Sequence, residues 1–144
     1  MTIRVRPAQA ADAALVAAID QASGITHAPH VPALIDELLA LGLSWMAECD
    51  GRPAGYAIVS RRFFSRPFIE LLAVAPDFRR AGVAGALLEA GAAAFDGETL
   101  FTSTNQSNEP MQALLARTGF EPSGVIENLD RGDPELVYVR FTRP

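Results

Sequence analysis

Hydrophobic residues in this chain recur either at helical spacing or in short apolar runs, and polar or glycine-containing turns separate the segments. Leu15, Val16, Ile19 and Ala22 form one apolar stripe, which predicts an amphipathic helix. Short apolar runs bounded by Pro, Gly and Asp predict β-strands instead. The pattern predicts helices over residues 11–22, 32–42, 82–95 and 109–118, and strands over residues 3–6, 44–49, 53–60, 68–75, 99–104, 125–129 and 136–141.

The order of these elements predicts an α+β fold. Two helices follow the first strand and two more lie between later strands, so helices would cover the faces of a mixed sheet. The 144 residues contain no repeat, linker or low-complexity run, and we expect one domain over residues 1–144. A loop is expected over residues 61–67, between the third and fourth strands.

Composition narrows the class of protein. A hydrophobic content of 49% is too high for disorder, and no apolar run is long enough to predict a membrane span. The N-terminus lacks the apolar core of a secretory signal, and a single cysteine, Cys49, cannot form an internal disulfide. These features favour a cytoplasmic protein. The net charge of −5 argues against a nucleic-acid partner and is compatible with a cationic amine substrate.

The junction between the fourth strand and the third helix carries the strongest chemical signal. Two arginines, Arg79 and Arg80, precede small residues that leave backbone amides uncovered at the helix N-terminus. Orphan amides, the helix dipole and arginine side chains together favour an anion such as a phosphate. The loop lacks the Gly-Lys-Ser/Thr ending of a Walker loop and the glycine order of a dinucleotide fingerprint. For a generic glycine-rich turn taken alone, a strand, turn and packing helix with no ligand is the more common interpretation.

The segment Arg79-Arg80-Ala81-Gly82-Val83-Ala84 resembles the [Q/R]-x-x-G-x-[G/A] signature of the GNAT superfamily of N-acetyltransferases. Residues 74–78 resemble the V-x-P-x-[Y/F] lead-in of that signature, and Leu87-Leu88 its helical continuation. The resemblance covers most of the chain and is densest over residues 68–120. It implies a GNAT fold, with a twisted and mostly antiparallel sheet of about seven strands, four helices, and a splay between strands four and five.

The same resemblance implies acetyl-CoA as co-substrate. Because acetyl-CoA brings an activated acyl group, the implied reaction requires no metal. In the family, backbone amides of the loop wrap the pyrophosphate, and a main-chain amide near Val74 polarises the thioester carbonyl. A second signature, Asn108 followed eleven residues later by Gly119-Phe120, implies a contact to the pantetheine arm or the phosphate. Asn108 could equally be a helix cap. The residues expected to bind the cofactor are Leu72, Ala73, Val74, Arg79, Arg80, Ala81, Gly82, Val83, Ala84, Gly85, Asn105 and Asn108.

Glu70 is the candidate general base. It is a carboxylate inside an apolar strand, and period-two alternation would place Phe68, Glu70 and Leu72 on one face. Such a carboxylate must be paired, solvated in a cleft or raised in pKa. A protonated amine must lose a proton before attack, and Glu70 could take it. Structural pairing with an arginine is the alternative.

The general acid of the family is a tyrosine four residues before Gly119, and this chain has Leu115 there. Tyr138 on the last strand could replace it, or could simply be an aromatic strand residue. His27 and His30 lack a third ligand at metal-binding spacing and are expected in a loop that could contact substrate. Phe63 and Phe64 could either form the floor of an acceptor pocket or cover the sheet edge.

Taken together, the sequence predicts an N-acetyltransferase. It would transfer an acetyl group from acetyl-CoA to a primary amine of a small molecule or peptide, by direct attack in a ternary complex. A homodimer is left open. Because fold and cofactor site do not guarantee turnover, the loss of the tyrosine at Leu115 supports an alternative, a weak or inactive acyl-CoA-binding or regulatory module.

Overall fold

The computed structural model describes residues 1–141, so the last three residues of the expected domain 1–144 lie outside the described part of the chain. Two short 3₁₀ turns, Ala10–Asp12 and Pro76–Phe78, precede α1 and α3. The strands are β1 (Ile3–Pro7), β2 (Trp45–Cys49), β3 (Arg52–Phe63), β4 (Arg66–Val74), β5 (Thr99–Asn105), β6 (Glu121–Ile126) and β7 (Glu135–Phe141). The helices are α1 (Ala13–Ser23), α2 (Val31–Leu39), α3 (Val83–Ala94) and α4 (Glu109–Arg117).

The seven strands form one sheet in the order β1-β2-β3-β4-β5-β7-β6. Neighbouring strands are antiparallel except β4 and β5, which are parallel and pair only at Phe68–Phe101 and Ile69–Thr102. Beyond Ile69 the two strands part, and we call the resulting opening the fork. The predicted α+β fold with a splay between strands four and five is therefore confirmed.

The sheet separates two hydrophobic clusters. Buried side chains of α3 and α4, including Leu87, Leu88 and Leu115, pack on one face. Val16 of α1 and Leu38 of α2 pack on the other. Each fully buried side chain of this kind stabilises the fold by about 1.5–3 kcal/mol. The helices packed on both faces therefore fix the positions of β4 and β5, the two strands that border the fork.

A β-bulge in β4 changes which face each side chain takes. Ile58 pairs with Leu71 but Val59 pairs with Ile69, so Glu70 is the extra residue. Leu71 consequently packs with the α1/α2 cluster and Leu72 with the α3/α4 cluster. The prediction that Leu72 shares a face with Glu70 is wrong, because strict alternation does not survive an inserted residue.

The expected loop over residues 61–67 is also wrong. β3 continues to Phe63 and β4 begins at Arg66, and these two residues pair. Only Phe64 and Ser65 form the turn, with φ angles of 53° and 64°. Two-residue hairpin turns of this handedness favour Gly and Asn, whose absence here hid the turn in the sequence.

The sixth strand begins at Glu121 rather than at residue 125. β6 is an edge strand and every one of its residues is exposed, so no apolar alternation marks where it starts. Its pairing with β7 shifts register between Pro122 and Gly124. Proline is tolerated at such an edge, where its missing amide is not needed.

Candidate active site

The β4–α3 loop ends in an uncapped helix. Gly82, with φ 92°, precedes α3 without a capping side chain, and the first helical bond runs from the Ala86 amide to the Gly82 carbonyl, at 3.0 Å. The amides of Val83, Ala84 and Gly85 therefore precede the first turn's hydrogen bonds. They and the helix dipole point at the space in front of the helix, as the sequence predicted.

A groove of about 370 Å³ lies in front of these amides. Three arginines contribute to it, Arg79 and Arg80 from the loop and Arg117 from α4. Its other lining residues are Val74, Phe78, Gly82, Val83, Ala84, Gly85, Pro110 and Leu114. This donor set fits a pyrophosphate, which needs several N–H donors and positive charge.

Arg117 was not among the residues predicted to bind the cofactor. Its position in the last turn of α4, two residues before Gly119, was the available signal. Ala81, by contrast, packs against the hydrophobic core, and its side chain is not among those lining the groove.

Gly82 is required by its backbone conformation rather than by lack of space. A Cβ atom there would lie 3.7 Å from Ile3 Cδ1, which is ordinary contact, but φ of 92° disfavours any side chain. A substitution at Gly82 therefore distorts the turn and also places new atoms in front of the α3 amides.

Backbone polar groups at the end of β4 point into the fork. The Ala75 amide donates to the Ala54 carbonyl at 2.7 Å, on the β3 side. Since backbone groups alternate along a strand, the amide and carbonyl of Val74 face the fork. The Ser23 hydroxyl at the end of α1 donates to the Val74 carbonyl at 3.3 Å. Ala73, in contrast, is buried in the α1/α2 cluster.

Glu70 lies immediately after the last β4–β5 pair, at the closed end of the fork. Arg62 donates to both of its oxygens, from Nε at 2.9 Å and from Nη2 at 2.8 Å. The Glu70 side chain is 15% exposed and that of Arg62 55%. Burial alone would raise the pKa of Glu70, but hydrogen bonds from Arg62 and Ser60 and the Arg62 charge outweigh it and lower that pKa. The ion pair that the sequence left as an alternative is present; the role as a base stays a prediction.

The two asparagines make local contacts. Asn108 caps α4, its Oδ1 accepting from the Met111 amide at 3.2 Å. Asn105 donates through Nδ2 to Asp130 at 2.8 Å and to the Asp133 carbonyl at 3.2 Å, which ties β5 to the β6–β7 loop. The interpretation of Asn108 as a cap holds, and cofactor contacts of both residues stay predictions.

Tyr138 lies opposite Thr102, the last β5 residue that pairs with β4. It is 7% exposed and belongs to the α3/α4 cluster together with Leu115, which is fully buried. Tyr138 is therefore one strand away from the closed end of the fork, on the face of the α3 groove. Leu115 fills core space and offers no proton.

A buried polar network on the other face was missed. The Tyr56 hydroxyl donates to Asp20 Oδ1, and His27 Nε2 lies 2.8 Å from Asp20 Oδ2. Burial raises the pKa of Tyr56 far above its usual range and Asp20 adds to this, so Tyr56 keeps its proton. The available signal was an aspartate directly after Ile19 in the apolar stripe of α1.

This network borders a groove of about 610 Å³ between α1 and α2. His27 contacts Asp20 and also lines this groove, so a substrate contact stays a prediction, and Cys49 is fully buried in the core. Within residues 1–141, no three histidine, cysteine or acidic side chains converge in a way that could hold a metal ion. No helix in that range is both long and apolar enough to cross a bilayer.

The parted sheet beside an uncapped helix is the arrangement expected of an acyl-CoA-dependent acyltransferase. A sequence profile described as the acetyltransferase (GNAT) family matches residues 16–120. Because this match spans well over half of the chain, the protein belongs to the GNAT family of acetyltransferases, and the predicted resemblance is confirmed. Members of the family use acetyl-CoA. No curated protein sequence is significantly similar to the chain.

Solved structures agree with this assignment. A GNAT-family acetyltransferase from Bacillus cereus ATCC 10987 is 29% identical with a TM-score of 0.86, over 99% of both chains. The ribosomal-protein-S18-alanine N-acetyltransferase of Escherichia coli is 19% identical with a TM-score of 0.84, over 99% of this chain and 96% of that one.

A third structure contains coenzyme A. It is the diaminobutyrate acetyltransferase of Paenibacillus lautus with L-2,4-diaminobutyric acid and coenzyme A, 19% identical with a TM-score of 0.76, over 98% of this chain and 95% of that one. At 19% identity, these last two similarities concern the fold alone.

Proposed function

We propose that this protein is an N-acetyltransferase that moves an acetyl group from acetyl-CoA to a primary amine by direct attack. The observation that carries the proposal is the fork, which brings the Val74 amide and the Glu70 carboxylate to one opening beside the cationic groove at α3. The Val74 amide can donate to a developing oxyanion, and the Glu70 carboxylate can accept a proton from an incoming ammonium.

The cofactor half of the site acts by binding and orientation. Amides of residues 83–85 and the arginines Arg79, Arg80 and Arg117 would hold the pyrophosphate. When bound, acetyl-CoA supplies the activated thioester. The Val74 amide then donates to the carbonyl oxygen as it becomes negative, and the rigid β4 edge keeps that donor in place.

The acceptor half removes a proton. Arg62 is more than half exposed, so an arriving ammonium can take its place on Glu70. Once the guanidinium has left, burial raises the pKa of Glu70 and the carboxylate becomes a competent base. The neutral amine forms the N–C bond, the C–S bond breaks, and the sulfur leaves as a thiolate. Glu70 releases the first proton to solvent and then takes the second proton from the amine nitrogen, which it also passes to solvent. Tyr138 donates its hydroxyl proton to the thiolate and recovers a proton from solvent, so one proton is released overall.

The decisive experiment combines binding with turnover. Acetyl-CoA should raise the melting temperature, and an amine panel should release free CoA thiol. Gly82→Asp should abolish both effects, since a carboxylate would face the pyrophosphate and the turn would be strained. Gly97→Asp, at another positive φ of 83° far from the groove, is the matched control for strain.

Two results would contradict the proposal. Unchanged acetyl-CoA affinity in Gly82→Asp would reject the loop as the phosphate site. Tight binding without thiol release, across the amine panel and a broad pH range, would instead establish the acyl-CoA-binding or regulatory module. The cytoplasmic location, the homodimer and the single domain 1–144 stay predictions.

A further inference from the structure

Four phenylalanine rings gather beside the closed end of the fork. Phe63 is their centre, stacked on Phe68 at 4.9 Å between ring centroids, tilted against Phe101 at 5.0 Å, and edge-on to Phe64 at 5.1 Å. We call Phe63, Phe64, Phe68 and Phe101 the phenylalanine shelf. Phe68 and Phe101 are themselves the first β4–β5 pair, so the shelf is continuous with the fork.

The shelf is open to water, unlike a packed core. None of the four rings belongs to either buried cluster, and Phe64 is 84% exposed. Phe64 also occupies a left-handed turn position, φ 53°, that Gly or Asn would adopt more easily. A bulky apolar side chain kept in a strained, exposed position indicates a role in binding.

Two hollows meet at Phe63. One, of about 310 Å³, is lined by Arg62, Phe63, Phe68 and Glu70. The other, of about 230 Å³, is lined by Phe63, Phe64, Arg66, Thr99 and Phe101. The first hollow thus has a charged end at Glu70 and an apolar floor, and the second extends the floor outward.

The charged end is held by Arg62, which pairs with Glu70 and also interacts with the charge of Glu37 on α2. Arg66 of the second hollow interacts with Glu98, which Arg61 already binds. An ammonium that displaces Arg62 from Glu70 therefore takes over an attraction to two carboxylates, and aromatic ring faces add to it.

We propose that the phenylalanine shelf selects the acceptor: a primary amine joined by a short alkyl spacer to a flat apolar or aromatic group. This rests on the proposed acetyltransferase function. Phe68 and Glu70 are two residues apart on β4 and line the same hollow. An ammonium on Glu70 and a ring on Phe68 then need a spacer of only a few bonds.

The test compares amines that differ only in the group beyond the spacer. Thiol release is followed with 2-phenylethylamine, 2-cyclohexylethylamine, butylamine and spermidine. We expect the highest kcat/KM for 2-phenylethylamine, by about three- to tenfold over butylamine, as aromatic contacts of this kind imply. Benzylamine and 3-phenylpropylamine then bracket the spacer length.

Variants of the shelf should remove that preference. Phe64→Asn suits the turn and leaves the fold intact, and Phe63→Leu removes the central ring. Each should lower the ratio of kcat/KM for 2-phenylethylamine over butylamine toward unity. Leu41→Ser, at another exposed apolar side chain (58%), should leave the ratio unchanged.

The outcomes separate the two proposals. Equal or better turnover of spermidine or butylamine, or a ratio unaffected by both shelf variants, would overturn the shelf as the acceptor site while leaving the acetyltransferase in place. Binding of acetyl-CoA with no amine acetylated would overturn the proposed function itself, and the shelf's role with it.

Discussion

Two carboxylates on the α1/α2 face of the sheet, Asp20 and Glu70, are satisfied in opposite ways. Asp20 is buried against a tyrosine hydroxyl and a histidine, both held by the fold, since Tyr56 lies in β3 and His27 follows α1. Glu70 is bound by Arg62, a long side chain reaching in from the surface. The first partner set cannot leave without unfolding, whereas the second can.

This difference separates a structural acid from one available for chemistry. If Asp20 is removed, the buried Tyr56 hydroxyl loses the carboxylate that it binds, so the substitution lowers the folding stability. The Arg62 guanidinium can return to water, so removal of Glu70 costs little folding free energy. Its effect should appear in the activity instead. The neighbourhood of a carboxylate, more than its burial, therefore indicates which role it has.

The largest effect should come from Asp20→Ala. It leaves the Tyr56 hydroxyl and His27 without their carboxylate and should lower the free energy of unfolding by about 3 kcal/mol. Urea denaturation measures the change, and kcat of the folded protein should remain within about threefold of the wild type. Tyr56→Phe, which removes one donor only, should cost about 1 kcal/mol. A stable but inactive Asp20→Ala protein would reverse the assignment of roles.

Glu70→Gln should do the opposite. We expect kcat to fall about 100-fold, as for loss of a general base, with a melting temperature close to that of the wild type. The loss should be greatest at low pH, where more of the amine is protonated. The matched control is Glu98→Gln, because Arg61 holds Glu98 in the same two-point geometry, at 2.8 and 2.9 Å, away from the fork. Equal losses in both variants would rule out a specific role.

Arg62→Gln sharpens the comparison through pH. Arg62 lowers the pKa of Glu70 against the effect of burial, so its removal should raise that pKa. The base must be ionised to act, and the acid limb of kcat/KM should therefore move to higher pH. Arg61→Gln should leave that limb in place. A limb that moves to lower pH, or does not move, would show that Glu70 is not the titrating base.

The smallest effect is expected for Tyr138→Phe. A thiolate is a good leaving group, since the pKa of a thiol lies near 8.5, so loss of its acid should lower kcat by about three- to tenfold. The effect should vanish with an acyl thioester whose leaving thiol has a lower pKa. A donor-independent loss would indicate that the buried Tyr138 hydroxyl acts in packing.

The groove proposed to bind the cofactor was predictable from sequence because its loop is local. The arginines, the uncapped Gly82 and the amides of residues 83–85 are consecutive, so one motif specifies them all. Pro110, Leu114 and Arg117 join the groove from α4, and none of the three was predicted. The order of strands and helices, and the fork itself, also followed from pattern and resemblance.

The acceptor half depends on residues far apart in sequence. The structural contact between Asp20 and Tyr56 likewise joins residues 36 positions apart, and neither residue alone predicts it. The β4 bulge at Glu70 arises from pairing with β3 and changes the face of Leu72 without any local signal. Arg62 and Phe63 were assigned to a loop because Phe64 and Ser65 are unusual turn residues, so their place beside Glu70 was hidden.

The outer edge of the sheet has a consequence for self-association. β6 exposes every one of its side chains, but Pro122 supplies no amide and the register slips before Gly124. A second copy could not extend the sheet there by continuous backbone pairing. Any dimer that uses this rim must therefore join through side chains such as those of Val125 and Leu129, and replacing these would separate it without disturbing the ladder.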